Sequence, residues 1–374
     1  MAPSLPHPHG HRHPRKLILR TGNLMAAGLG LPPPSQGPPF TFNSSTELLT
    51  SLKQEFTHAS TTISTSNSTS NSTTSPSCWV CATPDGTVWA PGVTDDEGQG
   101  GLKEDRSGYD VTAKLFYLVS QSSVDSSTRA EYTEDALGMV RDVLGTDTVD
   151  LCIVSFPGVY FDANDEASGA IDDGSGGDTV AQQDETKSIL ETYAILEKLV
   201  RDGRIGRIGL SEFGTARLAK LFAGLEQQQQ DKEPISRIRP RVVQINVRDC
   251  CVVPKELILY AKRQGIELLT HNDCADVLTK EEIERVVEEG GVWDALWEHE
   301  PSLSMPEDGV TLHNPSPKPR PCFELFPQWV IKYTAVVRDR GVVENKGCVF
   351  PISFIHIYNA NKGSGTLRWL RYTL

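Results

Sequence analysis

No stretch of this sequence approaches the ~20 consecutive apolar residues that a membrane-crossing helix needs, so none is expected to span a bilayer. The opening MAPSLPHPHGHRHPRK also lacks the apolar centre of a secretory signal, which makes a cytoplasmic location the expectation. Acidic residues are missing before Glu47, where several Arg and Lys occur; a mitochondrial presequence is the alternative this leaves. Cysteine is sparse, 8 in 374 residues, too few for a disulfide framework, and cytosolic conditions keep thiols reduced. The sequons at Asn43, Asn67 and Asn71 are therefore read as chance products of Ser- and Thr-rich text. Basic charge is outnumbered: 36 Lys and Arg face 49 Asp and Glu, a net charge of -13, which argues against nucleic acid as a partner.

Apolar residues are also few, at 38% hydrophobic and 7% aromatic, and the shortage has a location. Residues 57–77, THASTTISTSNSTSNSTTSPS, cannot bury enough apolar surface to offset their chain entropy, so 57–109 is expected to be a low-complexity, mostly disordered insertion. Before it, residues 1–56 hold KLILRTGNLM, two candidate strands about a Gly22-Asn23 turn, and NSSTELLTSLKQEF, a short amphipathic helix carrying Leu48, Leu49 and Leu52.

From residue 110 strands and helices alternate. VTAKLFYLVS reads as a strand, and SSTRAEYTEDALGMVRDVLG as a helix capped by Ser127 or Thr128 and ended by Gly145. VDLCIVSF is the next strand, mostly apolar as expected where both faces are covered, and RIGRIGLS, RVVQINV and IELLTHN are further strands. Between them lie helices with Ile189, Tyr193, Leu196 and Val200 in phase, ARLAKLFAGL, and one entered by Pro254 and ended by Gly265. A last helix is predicted from Pro327 to Arg340. The acidic, Gly-rich text at 160–186 reads as a loop inserted after a strand, with a second insertion at 291–322. Alternating strands and helices give either a barrel or an open doubly wound sheet; periodicity does not choose.

Several motifs invite chemistry without completing it. CWVC at Cys78–Cys81 is a lone pair that lacks the further ligands of a zinc site and the strand-then-helix setting of a redox motif, so no metal is assigned. GRIGRIG lies before and within a strand, whereas a dinucleotide fingerprint follows one.

Four stretches resemble aldo-keto reductases. GRIGRIGLSEF is similar to their fifth strand, DLCIVSFPG to the fourth, VVQINV to the sixth, and LILYAKRQGIELLTHND to the helix and strand that follow. The resemblance implies a (β/α)8 TIM-type barrel over 110–350, with the N-terminal elements completing it and residues 351–374 as an irregular tail. It also implies what should sit at the reaction centre, and this chain departs from it. The family's histidine position is Ser155, its lysine position is read at Gln121, and no Asp and Tyr pair is recognisable upstream. Such losses of placed acid-base groups typically lower rates on the order of 100 to 10,000-fold. Ser211 and Gln244 match positions that hold the nicotinamide amide, yet the Asn expected beside the Ser is Glu212, and Lys346 lies near the place of a phosphate-binding Lys without its motif. No cofactor is therefore expected, residual NADP binding being the open alternative.

LRTGNLM, the segment VTAKLFYLVSQSSVDSSTRAEYTEDALGMVRDVLG, VVQINVRDCCVVPKELILYAKRQGIELLTHND and PQWVIKYTAVVRDRGVVENKG resemble one non-catalytic branch of this superfamily, the regulatory (modifier) subunits of glutamate-cysteine ligase. That resemblance implies a protein without catalytic residues that pairs with the ligase catalytic subunit, improves its use of glutamate and relieves feedback inhibition by glutathione. Within it, Cys250 and Cys251 close the sixth strand as candidates for an intersubunit thiol link, the alternative being two small buried apolar side chains. His271, Asn272 and Asp273 end the next strand, either orienting an interface or residual ligand or satisfying loop backbone. The rival function is an NADP-dependent aldo-keto reductase with altered catalytic residues.

Overall fold

The computed structural model describes residues 16–25, 44–66, 79–83, 87–92, 101–118, 124–161, 180–230, 237–246, 253–273, 277–294 and 323–356. Five parallel strands form its regular half: β4 (Tyr109–Tyr117), β5 (Val149–Ser155), β6 (Ile205–Ser211), β7 (Val242–Asn246) and β8 (Glu267–His271) neighbour one another in sequence order. Helices α2 (Ser126–Leu144), α3 (Val180–Arg201), α4 (Thr215–Gln230) and α5 (Lys255–Gln264) make the crossovers. The sheet continues from β4 through β10 (Trp329–Val337), β11 (Val342–His356), β1 (Lys16–Arg20), β3 (Thr87–Ala90) and β2 (Cys81–Ala82), with β9 (Phe323–Pro327) paired to β11.

Local chemistry fixes these elements. Asp125 caps α2 by accepting from the Thr128 N–H at 2.7 Å, two residues before the expected Ser127 and three before Thr128, because a carboxylate there also meets the positive end of the helix. Gly145 ends α2 in the left-handed region (φ 67°), and Pro254 and Gly265 bound α5 as expected. Helix α6 (Lys280–Glu289) was not anticipated, although Thr279 and Glu282 form a reciprocal capping box whose T-x-x-E text was legible.

Four corrections concern the ends of the chain. The helix expected at Pro327–Arg340 is strand β10, antiparallel to both β4 and β11. Its text WVIKYTAVV is rich in β-branched and aromatic side chains, and its burial alternates with period two beyond Ile331. The low-complexity interval contributes structure: α1 (Ser44–Ser66) runs into it, and β3 lies parallel to β1, placing Val88 and Ala90 in the core. The second candidate strand after Gly22 is absent; Gly22 turns at φ 63° and Leu24 N–H bonds the Lys346 carbonyl. Beyond Phe350, β11 continues to His356.

The parallel run curls. Asp273, just past β8, bonds Lys114 on β4 and Lys332 on β10 at 2.8 and 2.7 Å. In a flat sheet the four strand steps from β4 to β8 would separate them by about 19 Å. Curvature therefore brings the two ends of this run together around a common interior, floored by Leu151, Ile153 and Val242 against Leu269. On the outer side of the same strands, Cys152 and Val154 join the helices in the main core. Packing rather than strand pairing spans the seam: Leu48, Leu52 and Phe56 of α1 join Ile283, Val286 and Val287 of α6 and Leu325 of β9 in one buried cluster. Gly290 is part of that fit, since a Cβ there would lie 2.3 Å from the Phe56 ring. The α/β class expected from sequence holds, and among the described residues the departure from eight equal repeats lies in the antiparallel pairings of β10, β11 and β9 and of β2 with β3.

Candidate functional site

The C-terminal ends of β6, β7 and β8 converge, and Ser211, Gln244 and Asn246 with His271 face one another through the sheet register. Ser211 Oγ lies 3.4 Å from His271 Nε2. Asp273 N–H donates to His271 Nδ1 at 3.1 Å, which makes that nitrogen an acceptor and leaves the ring proton on Nε2. Nε2 then donates to Glu212 Oε1 at 2.5 Å.

Glu212 is the one non-glycine residue with positive φ (66°) among the described residues. The strained turn is held by its own N–H on the Gln244 carbonyl at 2.8 Å. It swings the carboxylate inward, where it accepts from the Phe161 N–H at 3.1 Å as well as from the histidine.

Beneath this lies an ion cluster. Lys114 Nζ donates to Asp273 Oδ2 and to Gln244 Oε1, each at 2.8 Å, and sits 4.9 Å from the centroid of the Phe116 ring. Lys332 takes the other oxygen of Asp273, and Asn246 Nδ2 holds the Asp273 carbonyl at 2.8 Å. Burial drives the Asp273 carboxyl upward, but Lys114 and Lys332 outweigh it and hold the group far below the usual carboxylate range. Burial lowers the Lys114 ammonium despite Asp273, whereas for Lys332 the attraction of Asp273 prevails over burial and raises it. The charges form a closed set in which each buried cation has an anion within hydrogen-bond reach.

Of the residues nominated from sequence, Ser211, Gln244, His271 and Asp273 meet in this one network. Asn272 is exposed between the last two. Cys250, Cys251 and Gln121 lie outside the described residues, as do Cys78 of CWVC and most of the acidic loop. Ser155 ends β5, buried, in register with Phe116. Lys346 is bonded to Glu47 of α1 rather than presented to a ligand. Lys114, Lys332 and the inward Glu212 carboxylate were missed. Their signal was a lysine inside each of two otherwise apolar strands, VTAKLFY and WVIKYTAVV, a placement that demands a buried counter-ion. The interior lysine is thus Lys114, not a residue at the position read as Gln121.

A barrel of this type with a polar network at the C-terminal strand ends defines the class: the chain belongs to the aldo/keto reductase family, whose model matches residues 98–285. Within it, the chain is similar to regulatory subunits of glutamate–cysteine ligase. A Schizosaccharomyces pombe chain so named is 27% identical over 243 residues, covering 64% of this chain and 70% of that one. The Homo sapiens glutamate–cysteine ligase regulatory subunit is 27% identical over 246 residues, 66% and 67% of the two chains. A shorter match, 30% identical over 121 residues, covers 32% of this chain and 30% of the NAD(P)H-dependent D-xylose reductase of Kluyveromyces lactis. No helix among the described residues is long and apolar enough to cross a membrane.

Proposed function

We propose that this chain is a non-catalytic regulatory subunit that binds the catalytic subunit of glutamate–cysteine ligase as a heterodimer, improves its use of glutamate and relieves feedback inhibition by glutathione. The observation that carries the reading is the similarity over two thirds of the chain to proteins named for that role. The geometry agrees with it. Lys114, the one lysine buried at the floor of the site, is occupied by Asp273 and Gln244, and the place of the family's histidine is Ser155. The chemistry of the ligase, with its ATP and magnesium, belongs in this reading to the partner. A regulator shifts such an enzyme only if it binds the active form more tightly than the inhibited one. Cys250 and Cys251, which follow β7 in sequence, are the proposed thiol link between the subunits, with His271, Asn272 and Asp273 supporting that end of the barrel.

The test is ligase activity of the purified catalytic subunit with and without this chain, titrating glutamate at fixed glutathione. A lower glutamate requirement and weaker inhibition are expected; no change with both proteins folded sinks the reading. Loss of a reducible heterodimer band in the Cys250→Ser, Cys251→Ser variant tests the thiol link separately.

The rival, an NADP-dependent reductase with altered catalytic residues, draws on the buried Ser211, on Gln244 bonded to Lys114, and on the reductase match. It requires saturable NADPH binding and carbonyl turnover by the purified chain.

A further inference from the structure

Helix α5 is apolar on both of its sides. Leu257 and Ala261 are buried, as the inner side of a helix packed on a sheet should be. The opposite side repeats Lys255, Ile258, Leu259 and Lys262 at helical spacing, and there Ile258 and Leu259 are 45% and 44% exposed, where a solvated helix places polar groups. Of the large apolar side chains exposed among the described residues, only these two are neighbours in sequence. A single exposed apolar residue is ordinary, whereas an adjoining pair on the outer stripe of one helix, flanked by charge, has the anatomy of an interface centre.

The charge around the pair opposes that of the chain. The net charge is -13, and α1, α2, α3 and α6 each carry more acidic than basic residues. Among the described helices only α4 and α5 reverse this balance. On α5, Lys255, Lys262 and Arg263 stand against Glu256, and none of the three cations has an ion pair among the described residues. The two helices form one surface. Phe222 of α4 stacks on Tyr260 of α5 with ring centroids 6.4 Å apart, and Arg239 bridges them by bonding Glu226 of α4 and Gln264 of α5. Arg263 lies 5.8 Å from the centroid of the Tyr260 ring, which holds its charge against the helix pair. Alongside, α4 exposes Ala216, Ala219 and Ala223 at helical spacing, small side chains that allow a partner to approach closely.

We propose that the outer face of α5, with the adjoining side of α4, is the surface on which the ligase catalytic subunit docks, and that it receives an acidic patch with an apolar centre. The inference rests on the regulatory reading and deepens it by assigning the face and the chemistry of the contact. Ile258 and Leu259 supply the centre, and Lys255, Lys262 and Arg263 supply a rim that steers an acidic surface into register. Lys255 follows Cys251 by four residues, so the surface continues from the proposed thiol link. A second copy of this chain fits worse, because a two-fold contact through α5 sets its cations against each other. A bilayer fits worse too: two aliphatic side chains bury little area, and a chain of net charge -13 is repelled by anionic lipid.

Calorimetric titration of the full chain with the purified catalytic subunit tests it, in reductant so that no thiol link contributes, at low and at high salt. The double variant Ile258→Asp, Leu259→Asp should bind at least about tenfold more weakly than the native chain. Lys255→Glu with Lys262→Glu should weaken binding by about tenfold at low salt and flatten its salt dependence. Val342→Asp, at an exposed apolar residue on another part of the surface, should bind as the native chain does. Melting temperatures establish which variants fold; if the aspartate pair does not, the lysine pair carries the comparison. Native affinity retained by both double variants overturns the docking surface and leaves the regulatory reading standing. A native chain that does not bind the catalytic subunit overturns that reading and the partner named here with it. Saturable binding of the native chain to phosphatidylserine vesicles that the aspartate pair abolishes would make the face a membrane contact and overturn the proposal.

Discussion

Lys114 of β4 and Asp273 beyond β8 are 2.8 Å apart although four strand steps lie between them in the sheet. This pair, with Lys332, ties the two ends of the parallel run together, as the apolar cluster of α1 and α6 does by packing. Removing one partner of a buried pair leaves an uncompensated charge, which typically costs about 3–5 kcal/mol. Asp273→Ala strands two lysines and should reach that range. Lys332→Met strands none, since Lys114 still neutralises Asp273, and should cost less. Urea midpoints of the two variants check the order; equal losses would mean that Asp273 does not serve both lysines.

The same group sets an acid limit. The Asp273 carboxyl is held below its ordinary range in the folded chain, so between the folded value and about pH 4 the unfolded chain binds the extra proton and stability rises with pH. Its contribution is fully present above about pH 5 and is lost as pH falls below about 4. The difference in stability between the native chain and Asp273→Asn should therefore be flat from pH 5 to 7 and shrink below 4, read from urea unfolding at each pH. At the alkaline end the lysines oppose each other: the raised Lys332 loses its contribution as pH rises, while the lowered Lys114 gains. A difference that grows on acidification would contradict the assignment.

Much of the parallel half was legible because its strands and helices obey local rules. Gly145 and Gly265 stop their helices in the left-handed region, and Pro254 starts one. The site was half legible: Ser211, Gln244, His271 and Asp273 were found at strand ends, where side chains converge whatever the register. Lys114 and Lys332 were not, because their burial depends on curvature, and no local pattern says that strands β4 and β8 will face each other. β10 was misread for a related reason. Its apolar residues fit a helical stripe as well as a strand, and the choice between them is made by β4 and β11, its partners on either side.

Two thiols can be set aside as redox sites. Cys152 and Cys348 are buried, and burial pushes each thiol up to about 12, so almost no thiolate exists at neutral pH. Neither should react with a disulfide reagent in the native chain, and both should do so in guanidinium. Mass spectrometry of peptides from briefly labelled protein checks this. Native labelling of Cys152 or Cys348 as fast as that of partly exposed Cys81 would refute it, and would weaken the case for seeking a thiol link at Cys250 and Cys251.

Glu212 combines a strained backbone with a needed side chain, and the two can be separated. A non-glycine residue in the left-handed region costs roughly 1–2 kcal/mol, which glycine avoids. The carboxylate returns charge-assisted bonds to His271 and to the Phe161 N–H, each class worth about 1.5–3 kcal/mol. Glu212→Ala loses the bonds and keeps the strain; Glu212→Gly loses the bonds and relieves it. Both should be less stable than the native chain, with the glycine variant the better of the two by about 1 kcal/mol. Glu212→Gln keeps the shape but not the charge and should fall nearest to native. Guanidinium unfolding of the three variants decides the matter. Alanine and glycine variants of equal stability would show that the turn carries no strain, and a glycine variant more stable than native would show that the carboxylate contributes less than the backbone it distorts.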